Sequence, residues 1–338
     1  MKLSIIIVNY RGWKRLRPCL ESLQSLKDAP FPWEVIIVDN HSADNQLAAF
    51  VDDFPEFYFV ENGGNFGFAN GCNLGATKAA GEYLLFLNPD TRITEEAIRD
   101  LLREAEKHPE FTILSCSQLN DKGKDTRPYG LFLRPSTLTS FLRSLRLLIH
   151  KRPEPTTLRS GAQAIFPEWV SGSVVLINRK NFDRLGGWCE DFWMYYEDAD
   201  LCKRVQETGG KIVLIKSIQI IHNHGGASRV NLDVKALTKS EVIISRHLYI
   251  HKHFRGITRL FMQSYLVINN IFLGQLIIAI LGLLFYFKPS LRVYPKLYVN
   301  ILKYYASALT NKTWLSQRSV NYRKTTVNKY ESAKAEAA

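Results

Sequence analysis

Two short apolar runs, SIIIVNY at 4–10 and EVIIVDN at 34–40, are separated by a stripe of Trp13, Leu16, Leu20, Leu23 and Leu26 at helical spacing, and this arrangement constrains the fold most. Runs of this length without polar alternation read as strands covered on both faces, so the segment is a β-α-β unit and requires a parallel sheet with helices on it. The alternation continues with a helix around 42–51, a strand near 57–60, a helix over 68–80, the strand YLLFLN at 83–88 and a helix over 94–107. Thr94 lacks the acid of a capping box at Ala97, while Glu95 and Glu96 still favour the positive helix start. Strands at 111–116, 169–177 and 211–221 complete the pattern, which predicts an α/β chain with a Rossmann-like, mixed, mainly parallel sheet and helices on both faces. Residues 120–166 interrupt it with polar, Pro-containing and basic stretches around a short apolar helix expected at 138–149.

Charge divides the chain. The formal net charge of +12 falls almost wholly in the last 98 residues, which carry +11 and leave +1 for the first 240. The expected organisation is therefore a near-neutral domain over 1–240 and a basic, apolar helical region over 241–338. Nucleic-acid binding calls for basic residues interleaved with aromatics on the folded domain, and the uneven charge argues against that partner. Inside the basic region, residues 261–287 run for 27 positions without a charge, flanked by Lys252, Arg255 and Arg259 before and by Lys288, Arg292 and Lys296 after. The length permits a membrane span, yet Gln263, Asn269, Asn270 and Gln275 are expensive in lipid, and a single span leaves one basic flank outside. An interfacial or re-entrant pair of helices keeps both flanks on one side. A true span or hairpin and a buried soluble helix are the alternatives. His247, His251 and His253 lack the glutamate of a His-Glu-x-x-His zinc site and read instead as part of a basic helix. Five scattered cysteines, with no Cys-x-x-Cys pair, fit a reduced, cytosolic setting. The apolar N-terminal run is too short for a signal peptide.

Ligands of parallel sheets collect where strands end. Polar residues mark three such ends: Asn9-Tyr10, Asp39-Asn40 and Asn88-Pro89-Asp90. An acid at a strand end can accept from a base N–H or a sugar hydroxyl, and it can equally cap a turn. The segment ENGGNFGFANGCNLG at 61–75 supplies glycines and a helix start near Phe68 whose N–H groups suit phosphate, although it is no Walker loop. Asp90, fixed by Pro89, suits a divalent cation shared with a nucleotide diphosphate. The cluster DFWMYYEDADLCKR at 191–204 crowds Asp191, Glu197, Asp198 and Asp200 among aromatics, and crowding with burial raises a carboxylate toward the range of a general base. In IHNHGGAS, His222 and His224 alternate, so one of the two faces a ligand.

In this order, SIIIVNY, VIIVDNHS, ENGGNFGFANGCNLG, FLNPDT, WVSGSVVLINR, FWMYYEDADLCKR and IHNHGGAS resemble glycosyltransferase family 2 with the GT-A fold, most closely its bacterial rhamnosyltransferase-like branch, over residues 3–230. The resemblance implies that Asn9 and Asp39 lie at the base and ribose, that Asn65, Gly67, Phe68 and Asn73 line the nucleotide, and that Trp169 and Gly172 shape the sugar pocket. Asp90 takes the last place of the family's Asp-x-Asp metal motif, whose first acid is Asn88 here. Asp198 is implied as catalytic base, with Glu197 and Asp200 orienting the acceptor or its loop. His224, or else His222, is implied to contact Mg2+ or Mn2+ or the diphosphate. The implied reaction is an inverting transfer from dTDP-L-rhamnose, or alternatively from a UDP-hexose, to a saccharide acceptor. That acceptor is expected to be polyprenyl-diphosphate-linked, at the cytoplasmic face of a bacterial inner membrane and within cell-surface polysaccharide synthesis. A non-catalytic lipid or nucleic-acid binding module is the reading from another class.

Overall fold

Residues 1–139, 142, 144, 156–157, 164–223 and 231–324 are described by a computed structural model. The two opening runs form β1 (Leu3–Asn9) and β2 (Trp33–Asp39), parallel and in register from Leu3 opposite Trp33 to Asn9 opposite Asp39. Around them a sheet assembles in the order β3, β2, β1, β4, β11, β6, β12, β9, β8. Here β3 is Tyr58–Glu61, β4 Tyr83–Leu87, β6 Phe111–Leu119, β8 Thr156–Thr157, β9 Ala164–Phe166, β11 Val174–Asn178 and β12 Lys211–His222. A two-residue strand, β5 (Thr91–Arg92), pairs with the end of β12, setting His222 opposite Thr91. Strand β11 runs antiparallel to both β4 and β6, which makes the sheet mixed. The α/β class and the mainly parallel sheet are as the apolar runs require.

One face of the sheet is covered by α1 (Trp13–Leu23) and α4 (Glu95–Lys107), whose Leu16, Leu20, Ile98 and Leu101 join Ile5, Ile7, Ile37 and Leu85 in one core. Thr94 caps α4 by accepting from the Ala97 N–H at 3.2 Å, so the hydroxyl suffices without the boxed acid. On the other face, α3 (Phe68–Lys78) lies so close to β1 that a Cβ at Gly71 or Gly75 would come within 2.7 Å of Val8 or 2.5 Å of Ile6. Those two glycines therefore serve helix-to-sheet packing and not ligand approach. The expected strand over 169–177 is two strands. β10 (Trp169–Val170) leaves the main sheet to pair with β7 (Tyr129–Gly130), and the turn at Gly172–Ser173 resets the chain before β11. Cys19, Cys72, Cys116 and Cys202 are buried thiols outside any disulfide, and burial pushes Cys19 and Cys116 up to about 12.

The chain separates into two compact units. Met1–Phe132, Pro153–Cys189 and Glu197–Ala227 form the sheet unit; Leu133–Arg152, Glu190–Tyr196 and Ser228–Ala338 form the helical unit. The division near residue 240 expected from charge falls inside a continuous helix, Leu232–His253, which Asn231 caps by accepting from the Val234 N–H at 2.9 Å. The helix expected at 138–149 lies largely outside the described residues. The uncharged stretch forms two helices, Gly256–Phe272 and Gly274–Leu284, broken at Leu273, whose ψ of −107° is not helical. Together they make an apolar run, mean hydropathy 2.2 over its most apolar 18 residues, long enough to cross a membrane by length and composition. Only 22% of its most apolar part is buried, and Leu260, Phe272, Leu283 and Leu284 are exposed. Ile243, Leu297 and Ile301 tie the helix Leu232–His253 to a last helix, Val293–Asn311.

Candidate active site

Because β1, β2, β4, β6 and β12 run in one direction and β11 runs against them, five features meet at one edge of the sheet unit: Asn9, Asp39, the Asn88–Asp90 turn, His222 and the start of β11. This is the edge at which α/β sheets bind ligands.

Asn9 is fully buried at the end of β1. Its Oδ1 accepts from the Gly12 N–H at 3.1 Å, and its Nδ2 has no partner among the described residues. An amide donor in that position suits a base carbonyl. Asp39 accepts from the Ser42 N–H at 3.0 Å and from the Ser42 hydroxyl, so it both caps a turn and carries a buried charge. Burial pushes its carboxyl up, against the pull of Ser42. The turn is tight, with His41, Ala43 and Asn45 all at positive φ.

The glycine-rich segment is fastened by asparagines. Asn62 Nδ2 donates to Asn40 Oδ1 at 2.9 Å and to Asn70 Oδ1 at 2.8 Å, and Asn40 Nδ2 donates to Asn65 Oδ1 at 3.2 Å and to the Gly67 carbonyl at 3.1 Å. Asn40, marked by the sequence only as part of a polar strand end, is the hub of this network. Gly67 has φ +98°, which a side chain would strain, and α3 starts at the next residue as expected. Asn73, expected to line the nucleotide, clamps a backbone peptide. Asn73 Oδ1 accepts from the Trp188 N–H and its Nδ2 donates to the Trp188 carbonyl, both at 2.9 Å, because a planar amide matches one peptide group in both directions. Trp188, also missed from the sequence, packs edge-on against Phe68 and Phe86 with its Nε1 unpartnered.

Gly172 lies against Phe68, where a Cβ would sit 3.2 Å from the ring, and its N–H donates to Asp198 Oδ2 at 3.3 Å. Trp169 is anchored by donation from Nε1 to the Leu131 carbonyl at 3.0 Å, which fixes the indole beside this wall. The helix Glu197–Glu207 carries three expected acids, and each meets a different environment. Asp198 is half-buried, with Oδ1 accepting from the Ala199 N–H at 2.7 Å; burial pushes its carboxyl up against those backbone donors. Glu197 is buried with Oε2 unpartnered, and burial followed by the Asp198 charge raises it well above the usual carboxylate range. Asp200, expected to orient the acceptor or its loop, is engaged by an arginine. It is fully buried and accepts from Arg204 Nε at 2.8 Å, one helical turn on, while Arg204 Nη1 donates to the Leu185 carbonyl at 2.7 Å. Immediately before this helix, Tyr195 and Tyr196 both take left-handed backbone, with φ +70° and +67°.

Asp90 Oδ1 lies 3.1 Å from His222 Nε2, an approach set by the pairing of β5 with β12. The other ring nitrogen, Nδ1, is 2.6 Å from Gln118 Oε1, and the Gln118 amide donates to Ser173 Oγ at 2.8 Å. His222 thus sets one ring nitrogen against Gln118 and the other against Asp90 at the ligand edge, a pair of side chains that suits a divalent cation. Among the described residues no group of three or more His, Cys, Asp or Glu side chains forms. The donor set is thus Asp90 with His222, which fits a hard divalent ion whose other positions are taken by diphosphate and water. Asn88, in the place of the missing acid, uses its backbone, donating to the Ser173 carbonyl at 2.9 Å and accepting from Thr91 Oγ1 at 2.7 Å. His224 lies outside the described residues.

A sheet whose ligand edge joins a half-buried acid at a helix start to an Asp-His pair is that of a nucleotide-sugar transferase. Residues 4–168 match the family model described as "Glycosyl transferase family 2", and 163–224 match "N-terminal domain of galactosyltransferase". Residues 4–168, just under half of the chain, are glycosyltransferase family 2 in sequence; the fold is GT-A, and the protein is a glycosyltransferase. It is 27% identical over 225 residues to a low-salt glycan biosynthesis hexosyltransferase of Haloferax volcanii, covering 65% of this chain and 67% of that one. Over 237 residues it is 27% identical to the N-acetylglucosaminyl-diphospho-decaprenol L-rhamnosyltransferase of Mycobacterium tuberculosis, covering 65% and 76%. In structure it is similar to GalNAc-T7, solved with UDP, GalNAc and Mn2+, at TM-score 0.51 and 15% identity, over 79% of this chain and 54% of that one.

Proposed function

We propose that this enzyme moves L-rhamnose from dTDP-L-rhamnose, with inversion, onto a saccharide acceptor linked to a polyprenyl diphosphate. The observation that carries the mechanism is the contrast between Asp198 and its neighbours: it alone of Glu197, Asp198 and Asp200 is partly open to solvent and not committed to a buried ion pair. Asp198 takes the proton of an acceptor hydroxyl while that oxygen bonds to the anomeric carbon and the carbon–oxygen bond to the nucleoside diphosphate breaks. Glu197, buried with one oxygen unpartnered among the described residues and its carboxyl raised by burial, disfavours a second negative charge beside the base. Asn9 and Asp39 receive the base and ribose, the Asn40–Asn62–Asn65 network holds the loop over them, and Gly172 with Phe68 and Trp188 forms the wall for the sugar. Asp90 and His222 would hold Mg2+ or Mn2+, which when bound neutralises the departing diphosphate.

The rhamnosyl donor and the lipid-linked acceptor are supported by the mycobacterial relative, whose name carries both. A UDP-hexose is the alternative donor, supported by the hexosyltransferase relative and by the UDP bound in the similar structure. The helical unit supports a position at the cytoplasmic face of a bacterial membrane, because its exposed apolar helices are bordered by Arg255, Arg259, Lys288 and Arg292. Asp198→Asn tests the mechanism. Transfer should fall by roughly a hundred- to ten-thousandfold while the donor nucleotide still raises the melting temperature, and near-normal turnover would refute the assignment. A panel of dTDP- and UDP-sugars, scored by slow hydrolysis, decides the donor.

A further inference from the structure

The helical unit contains a pocket of about 410 Å3 between the helices Leu232–His253 and Val293–Asn311 and the segment at 316–318. This volume is in the range that takes a small ligand. Three cations reach it. Lys296 is matched by Asp233 at the rim, whereas Lys303 and Arg318 face the same space with no carboxylate in ion-pairing distance among the described residues. Asn300 and Gln317 add neutral donors to the lining. The wall also holds Glu241, only 1% exposed. Its Oε1 accepts from Ser316 Oγ at 3.1 Å, and its Oε2 has no hydrogen-bond partner. An unpartnered buried carboxyl oxygen is costly unless something serves it, and packing alone gives no reason to keep one here.

An ammonium and a guanidinium converging on one small space recognise a tetrahedral oxyanion, which offers separate oxygens to each. A carboxyl beneath them accepts from a hydroxyl. We propose that this pocket binds a phosphate group with a hydroxyl close by, Lys303 and Arg318 taking the phosphate oxygens and Glu241 the hydroxyl. Such a ligand comes either as a soluble phosphate ester or as the headgroup of an anionic lipid. The site uses no residue of the sheet unit, so it stands whichever sugar the enzyme transfers.

The test uses the full chain and two probes, glycerol 3-phosphate by calorimetric titration and vesicles of phosphatidylcholine with or without phosphatidylglycerol by flotation. Lys303→Gln with Arg318→Gln removes the two cations. Lys312→Gln with Lys324→Gln removes the same charge from exposed positions elsewhere in the unit. Saturable binding of glycerol 3-phosphate that weakens roughly tenfold or more in the first double variant and not in the second assigns a soluble ester. Binding confined to phosphatidylglycerol vesicles, with the same difference between variants, assigns a lipid headgroup. Equal responses of the two double variants to both probes overturn the proposal. Glu241→Gln should keep phosphate binding and lose the preference for glycerol 3-phosphate over inorganic phosphate, and an unchanged preference removes Glu241 from the site.

Discussion

His222 in the sheet unit and His247 in the helical unit are both almost wholly buried, and both rings touch a glutamine, yet their surroundings differ in kind. His247 is saturated by neutral partners: Gln263 Oε1 at Nδ1, Tyr305 Oη at 2.7 Å from Nε2, and Trp314 stacked on the ring at 4.9 Å. Burial lowers its pKa to about 4, so it stays uncharged. His222 instead presents Nε2 to the carboxylate of Asp90 at the ligand edge. The lesson is that burial alone does not separate a structural histidine from a ligand-binding one; the chemistry of the second nitrogen's partner does.

That contrast can be broken by exchange of roles. His222→Ala should lower kcat/KM by roughly a hundredfold or more and remove the stimulation by Mn2+, with little change in melting temperature. If it unfolds the protein instead, the ring is structural. His247→Ala should cost about 2–4 kcal/mol in urea unfolding through a cavity and lost hydrogen bonds, leaving donor KM unchanged. A KM effect larger than the stability effect would place His247 in the chemistry.

The smallest effect sharpens the comparison through pH. His247 ionises near 6.5 when unfolded and about 4 when folded, so its contribution to stability is full above 6.5 and is lost as pH falls through 4. Glu241 ionises near 4.5 unfolded, and burial raises it to about 7, so its contribution is full below 4.5 and is lost as pH rises through 7. The two slopes oppose each other between pH 4.5 and 6.5. Glu241→Gln should therefore raise the slope of stability against pH in that window by up to ~1.4 kcal/mol per unit relative to the parent. Equal slopes in parent and variant would show that burial does not raise Glu241.

Much of this was legible in the order of residues. Apolar runs located the strands, and polar strand ends located Asn9, Asp39 and Asp90 at one edge, because strand direction in a parallel sheet follows from chain order. Side-chain commitment was not legible. Asn73 and Asp200 sit in the right motifs, yet they are taken by the Trp188 backbone 115 residues away and by Arg204 one helical turn on. Gln118, which orients His222 across 104 residues, carries no local signal at all. Hydrogen-bond partners of that kind are fixed only when distant strands pair.

The paired left-handed tyrosines that precede Glu197 have a consequence for the chain's history and for engineering. Non-glycine residues in that conformation cost of order 1 kcal/mol each, and glycine at Tyr195 or Tyr196 would relieve it. The aromatic rings are nonetheless put to use, as Tyr196 accepts from Arg246 Nε at 3.1 Å and packs against Tyr249. Selection for heat resistance alone would find these two positions early, and the variants it favoured would trade turnover for durability.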